Sequence, residues 1–257
     1  MPREHGSWAV LIAPILAGLI AAGGGRATPV ALLCLAALAA FLFRPALQAF
    51  LSGPRSARAI ARPAALGVLA AACGAALVFK DRLWRLTAFA AAAALMMGLS
   101  LYLARKRRAM SWENEVAGIL VLSLGAPAAF YAARGTLPFA AWAAWAVCAL
   151  YFVGPVFFVK LAVLQHRAAA NPADTAALER MRRAGTAYHA GALSAVSAAA
   201  WAGWLTPLAA VPFAAALHKM WRRGLRGPGK TDFKRLGWAE VGYSCVFVLA
   251  LAAGRFF

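Results

Sequence analysis

The sequence predicts an all-α polytopic membrane protein: nine transmembrane helices in a single domain over 1–257, N-in/C-out. Three observations predict it. Hydrophobic residues make up 63% of the chain and mean hydropathy is +0.70. Nine apolar stretches are each about as long as the roughly 20 residues that cross a hydrocarbon layer. Of the 27 Lys and Arg, all but Arg26, Lys80, Arg82, Arg85, Arg134 and Arg255 fall in alternate connections, and basic residues gather on the cytoplasmic side.

The first span, 7–24, follows Pro2-Arg3-Glu4-His5-Gly6-Ser7-Trp8. It lacks a basic leader and a small-residue cleavage site, so it reads as a true span and not a signal segment. Three ionisable residues at a membrane boundary, before a glycine that permits close approach, mark candidate site residues Arg3, Glu4 and His5. Span two, 28–46, finishes with Arg44 and Gln48, four apart on one helical face. Spans three and four, 62–80 and 83–104, are joined by the short Lys80-Asp81-Arg82 turn.

Span five, 114–133, starts after the basic run Arg105 to Arg108 at Trp112-Glu113-Asn114-Glu115. Two carboxylates two residues apart point about 200 degrees apart on a helix. The inward pair is therefore expected to be Asn114 and Glu115, with Glu113 nearer the surface. Span six, 137–163, contains Tyr151-Phe152-Val153-Gly154-Pro155 and carries Lys160 near its inner end. Its following loop, His166 to Arg183, contains Asn171-Pro172-Ala173-Asp174, a capping start for a short surface helix ending near Arg183.

Span seven, 184–203, holds His189 about one turn from its cytoplasmic end, and an ionisable group at such a depth marks a candidate site. A tight turn at Gly203-Trp204-Leu205-Thr206-Pro207 separates it from span eight, 205–221, which ends on His218 and Lys219. Fusing these two spans would put the basic segment Lys219 to Arg235 outside, against the charge rule. The connection Arg222 to Arg235 holds Gly227-Pro228-Gly229 and is expected to be mobile. Span nine, 237–256, begins around Glu240, which a neighbouring Lys or Arg would stabilise.

The net charge of +19 does not indicate a nucleic-acid partner, because the basic residues alternate between loops and do not line one soluble face. Cys34, Cys73, Cys148 and Cys245 are scattered without C-x-x-C spacing, and read as small packing residues. No Ser-His-Asp motif is present. His5, His166, His189 and His218 and every carboxylate except Asp81 fall at the cytoplasmic end of the predicted bundle.

Those scarce groups define a basic pocket open to the cytoplasm. Its candidate catalytic residues are His189, Glu115, His5, Glu4 and Glu240; Arg3, Arg44, Gln48, Asn114, Lys160, His218 and Lys219 are candidates for holding a ligand. An anionic amphipathic ligand suits it, with membrane lipids as neighbours. Imidazole also permits a haem or metal site serving respiratory-complex assembly, although no H-x-x-x-H or H-E-x-x-H spacing occurs. No cofactor is assigned. A transporter ranks third, because the outer halves of the spans hold almost no charge.

Pro2-Arg3-Glu4-His5-Gly6-Ser7-Trp8, Asn114-Glu115, Tyr151 to Gly154 with Val159-Lys160, Tyr188-His189 and Gly237 to Glu240 resemble the YwiC-like family of bacterial membrane proteins. The nine spans, the basic loop after span two and Lys106-Arg107 after span four are more distantly similar to the UbiA-type intramembrane prenyltransferases. The two likenesses imply a helical bundle in the bacterial cytoplasmic (inner) membrane, with a cytoplasm-facing cavity for an anionic amphipathic ligand of isoprenoid, quinone or lipid-phosphate type. Those enzymes hold diphosphate through magnesium on two aspartate-rich motifs. Here the loop from Arg44 to Arg62 contains no acid and the second region offers only Asp174 and Glu179, so no catalytic aspartate carries over.

Overall fold

The structure is a computed structural model and describes residues 5–52, 57–108, 110–169, 171 and 174–254. All regular structure among them is helical. The chain forms two compact units, up to Trp145 and from Ala146 onward, with the division inside one long helix.

The first unit contains α1 (His5–Ala22), α2 (Ala27–Ser52), α3 (Ala57–Ala75), α4 (Leu86–Arg105), α5 (Trp112–Ser123), α6 (Gly125–Arg134) and the start of α7 (Phe139–Ala168). A π-helical turn, Ala76–Lys80, extends α3. The predicted fifth span is bent where α5 meets α6. Pro127 has no N–H to give the carbonyl of Ser123, and α5 stops at that residue. Leu124 stays in right-handed helical conformation and donates to the Val121 carbonyl at 3.1 Å, so the chain kinks without turning back.

Small residues let α6 lie directly on α1. A Cβ on Gly18 would run into the backbone carbonyl of Ala126, and Ala17, Ala126 and Ala129 have no exposed surface. Close backbone approach through small side chains is how helices associate where lipid removes the hydrophobic drive. Two arginines then close the helix ends reciprocally. Arg134 Nε donates to the Ala22 carbonyl at 2.8 Å, at the end of α1. The Arg26 amide and guanidinium donate to the Ala133 and Ala132 carbonyls at 3.0 and 3.3 Å, at the end of α6. Both satisfy carbonyls that have no partner within their own helix.

The second unit contains the rest of α7, then α8 (Thr175–Trp201), a 3₁₀ turn (Pro207–Ala209), α9 (Ala210–Gly224) and α10 (Phe233–Gly254). Two expectations change here. The short surface helix and the seventh span are one continuous α8: no proline stands between them, and Gly185 at the junction stays helical and buried. Asp174 makes no side-chain cap to it and pairs with Arg167 at 3.2 Å. The turn expected after span seven is present: Gly203 adopts φ +75°, a left-handed value that favours glycine, and α8 and α9 are separate helices. Helix α10 starts earlier than expected because Asp232 Oδ1 accepts from the amides of Lys234 and Arg235 at 3.0 and 3.1 Å.

The interior of this unit is aromatic. Tyr151 stacks on Phe247 with centroids 4.2 Å apart, and Phe152 and Phe213 meet the pair edge-on.

Six helical stretches among the described residues are long and apolar enough to cross a membrane: Ala27–Leu51, Ile60–Lys80, Leu86–Arg105, Trp112–Arg134, Phe139–Ala168 and Phe233–Gly254. Ser7–Ala22 is apolar but shorter. Large apolar side chains such as Val68, Leu95 and Leu249 face outward, 69%, 76% and 66% exposed. A water-soluble protein would bury them; several such helices together describe a multi-pass membrane protein.

Candidate functional site

His189 lies inside α8 and is buried. Its Nδ1 is 2.7 Å from the Gly185 carbonyl one turn back. A carbonyl only accepts, so Nδ1 carries the proton in this contact, and in the neutral ring Nε2 is the lone-pair atom. No described group meets Nε2. The ring lies against α7 at Gly154, where a Cβ would come within 2.8 Å of Nε2. A side chain on residue 154 would push the imidazole out of its place.

Aromatic rings hold this part of α8 in place. Tyr188 stacks on Phe157 at 4.7 Å and its hydroxyl donates to the Leu150 carbonyl at 2.8 Å. Phe157 meets the imidazole edge-on at 6.5 Å.

The second element is an ion pair. Lys219 Nζ reaches both oxygens of Glu240, at 2.7 and 2.8 Å, and each side chain is only 10% exposed. The ammonium also lies over the rings of Phe158 and Tyr243, at 4.4 and 4.5 Å. Such faces attract a cation, the more so where water is excluded. Tyr243 is tied in turn to Tyr151, whose hydroxyl donates to its carbonyl at 2.8 Å. The sequence placed Lys219 and Glu240 at one end of two spans; the structure joins them.

Sequence reasoning passed over Gln165. This amide is buried near the C-terminal end of α7, and its Nε2 donates to the carbonyls of Arg223 and Arg226 at 2.9 and 2.8 Å. Its Oε1 accepts from Arg223 Nε, and Arg223 also donates to Thr231 Oγ1 at 2.6 Å. The Gly229 amide bonds to the Gln165 carbonyl at 3.1 Å, and the Thr231 amide donates to His166 Nδ1 at 3.4 Å. The segment expected to be mobile is therefore held down on α7. An amide in the run Val163-Leu164-Gln165 was the available signal.

In the first unit, Ser111 caps α5 by accepting from the Asn114 amide, and Ser100 Oγ donates to Asn114 Oδ1 at 2.7 Å. Asn114 is buried, Glu115 half-buried and Glu113 exposed beside Arg108, the expected order. Arg44 and Gln48 are half-buried on α2, and Lys160 is half-buried on α7. His218 is exposed with its ring 6.2 Å from Trp221, and His166 is exposed against Phe233. Arg3, Glu4 and the side chain of His5 lie outside the described residues. Among the described residues, no three His, Cys, Asp or Glu side chains lie together as metal ligands would.

No curated protein and no solved structure matches the chain. A family model described as YwiC-like protein matches residues 1–130, half of the sequence, from the opening Arg3-Glu4-His5 word through α5 and into α6. With that match added to the apolar helices, the chain belongs to the YwiC-like family.

Proposed function

We propose that this protein crosses the bacterial cytoplasmic membrane nine times, N-in and C-out, in a UbiA-type bundle, and binds or acts on an anionic amphipathic molecule. The single observation that supports the ligand reading is His189. The buried imidazole holds a nitrogen that no described protein group hydrogen-bonds, packed against Gly154, on the same unit as the charged pair Lys219 and Glu240. A group bearing a hydroxyl, such as a quinol precursor or a protonated phosphate, would donate to Nε2. Histidine suits proton exchange near neutrality because its ordinary pKa is close to it. Lys219, whose charge Glu240 balances, would reach the anionic part of the ligand by giving up one of its two contacts to that carboxylate.

Nothing in this reading uses magnesium, since the chain lacks the aspartate-rich motifs of UbiA-type enzymes. Gentle detergent extraction followed by mass spectrometry of copurifying small molecules tests it. An isoprenoid, quinone-like or phosphate-bearing amphiphile is expected with the parent protein and lost from His189→Ala at equal membrane abundance. Retention of the same molecule by His189→Ala overturns the assignment.

A further inference from the structure

An open cleft of about 510 Å³ lies between α8 and the end of α9. Arg182, Arg183 and Thr186 line it from one turn of α8; Trp221, Gly224 and Leu225 line it from the other side. Its two walls differ in chemistry. The α8 wall carries two guanidinium groups and a hydroxyl. The α9 wall offers an indole and a leucine that are 54% and 64% exposed, a large apolar area for a surface otherwise rich in arginine.

Glu179 organises the charged wall. Its Oε1 accepts from Arg182 at 2.8 Å and from Arg183 Nε at 2.9 Å, and these two bonds hold the carboxyl below the usual carboxylate range. One carboxylate thus fixes two guanidinium groups without neutralising both, and the remaining N–H donors of each fork are free of that contact. Arg222 and Arg226, next to Trp221 and Leu225, are also exposed and add to the positive field.

The level of the cleft completes the argument. Arg182 and Arg183 immediately precede the apolar run of α8 that opens at Ala184, and Trp221 closes the apolar run of α9. Indole rings favour the zone between hydrocarbon and water, and basic pockets between spanning helices at that level suit anionic head groups.

We propose that this cleft is a binding site for an anionic glycerophospholipid, with the phosphate on Arg182 and Arg183 and the glycerol and upper acyl chains against Trp221 and Leu225. A soluble phosphate would have no use for the apolar wall. A zwitterionic lipid would bring a cation toward the arginines. The inference is independent of the ligand proposed for His189.

Native mass spectrometry of the full-length protein in detergent, given equimolar phosphatidylglycerol and phosphatidylcholine, tests the site. Phosphatidylglycerol adducts are expected to exceed phosphatidylcholine adducts. The Arg182→Ala/Arg183→Ala variant is expected to lose that preference by roughly tenfold, since each basic residue near a lipid surface favours anionic lipid. Thr186→Asp, which leaves both arginine contacts to Glu179 in place and adds a carboxylate to the cleft, is expected to do the same in a folded protein. Equal binding of the two lipids, or an unchanged preference in Thr186→Asp, overturns the proposal. So does displacement of phosphatidylglycerol by millimolar glycerol 3-phosphate, which would assign the arginines to a soluble phosphate.

Discussion

Lys219 and Glu240 share two short contacts, 2.7 and 2.8 Å, in a place where each side chain is only 10% exposed. Taking both charges from water is expensive, and the attraction between them returns that energy only while both are present. Lys219→Met or Glu240→Leu alone should therefore destabilise the protein by about 3–5 kcal/mol, because one uncompensated charge stays behind. The double variant should recover most of the loss. Thermal unfolding in detergent, followed by tryptophan fluorescence, measures the cycle; a double variant as unstable as the sum of the singles would contradict it.

Gly154 and His189 form a second pair. Adding a methyl at residue 154 puts a carbon 2.8 Å from Nε2. Gly154→Ala should destabilise by about 1–3 kcal/mol, as overpacking does. His189→Ala in the same chain should relieve much of that penalty, which the same unfolding measurement reads. Independent, additive effects would show that the two residues do not press on each other.

Gly18 tests the approach of α1 to α6. Its added Cβ meets backbone, the Ala126 carbonyl, and backbone cannot rotate aside as a side chain end can. Gly18→Ala should destabilise by about 3 kcal/mol and lower membrane abundance. Gly74→Ala is the control: its Cβ would meet nothing within 4 Å, and the better helix former should leave abundance unchanged or raise it.

Gln165→Leu removes the donor to two carbonyls and the acceptor for Arg223. Leaving such groups buried and unpaired costs about 1–3 kcal/mol each. The visible result should be release of the segment 227–231, read as faster cleavage by a protease in limited proteolysis at 25 °C. Cleavage at the parent rate would mean that the segment is held by something else.

Much of the helical arrangement was legible because hydropathy acts through composition. Runs as apolar as 28–46 or 137–163 have few alternatives to a helix when lipid offers their backbone no partner. The ends were less legible. Helix α10 gained a turn from Asp232, and α8 absorbed the segment read as a surface helix because Gly185 stays helical where a break was expected; Asp174, at the start of α8, pairs with Arg167 and makes no side-chain cap. The kink at Ser123 was visible in principle, because Pro127 is in the sequence, but nothing there says whether such a proline ends a span or bends it.

By itself the sequence determined that this is an all-helical membrane protein of the YwiC-like family and which few polar residues lie in its apolar helices, because hydrophobicity and family words are properties of the chain read in order. Only the tertiary structure decided that Lys219 pairs with Glu240, that Gln165 fastens a segment some sixty residues away, and that His189 keeps one nitrogen over Gly154. Those are choices among partners on different helices, set by which faces meet at contact distance, and spacing along the chain carries no record of that.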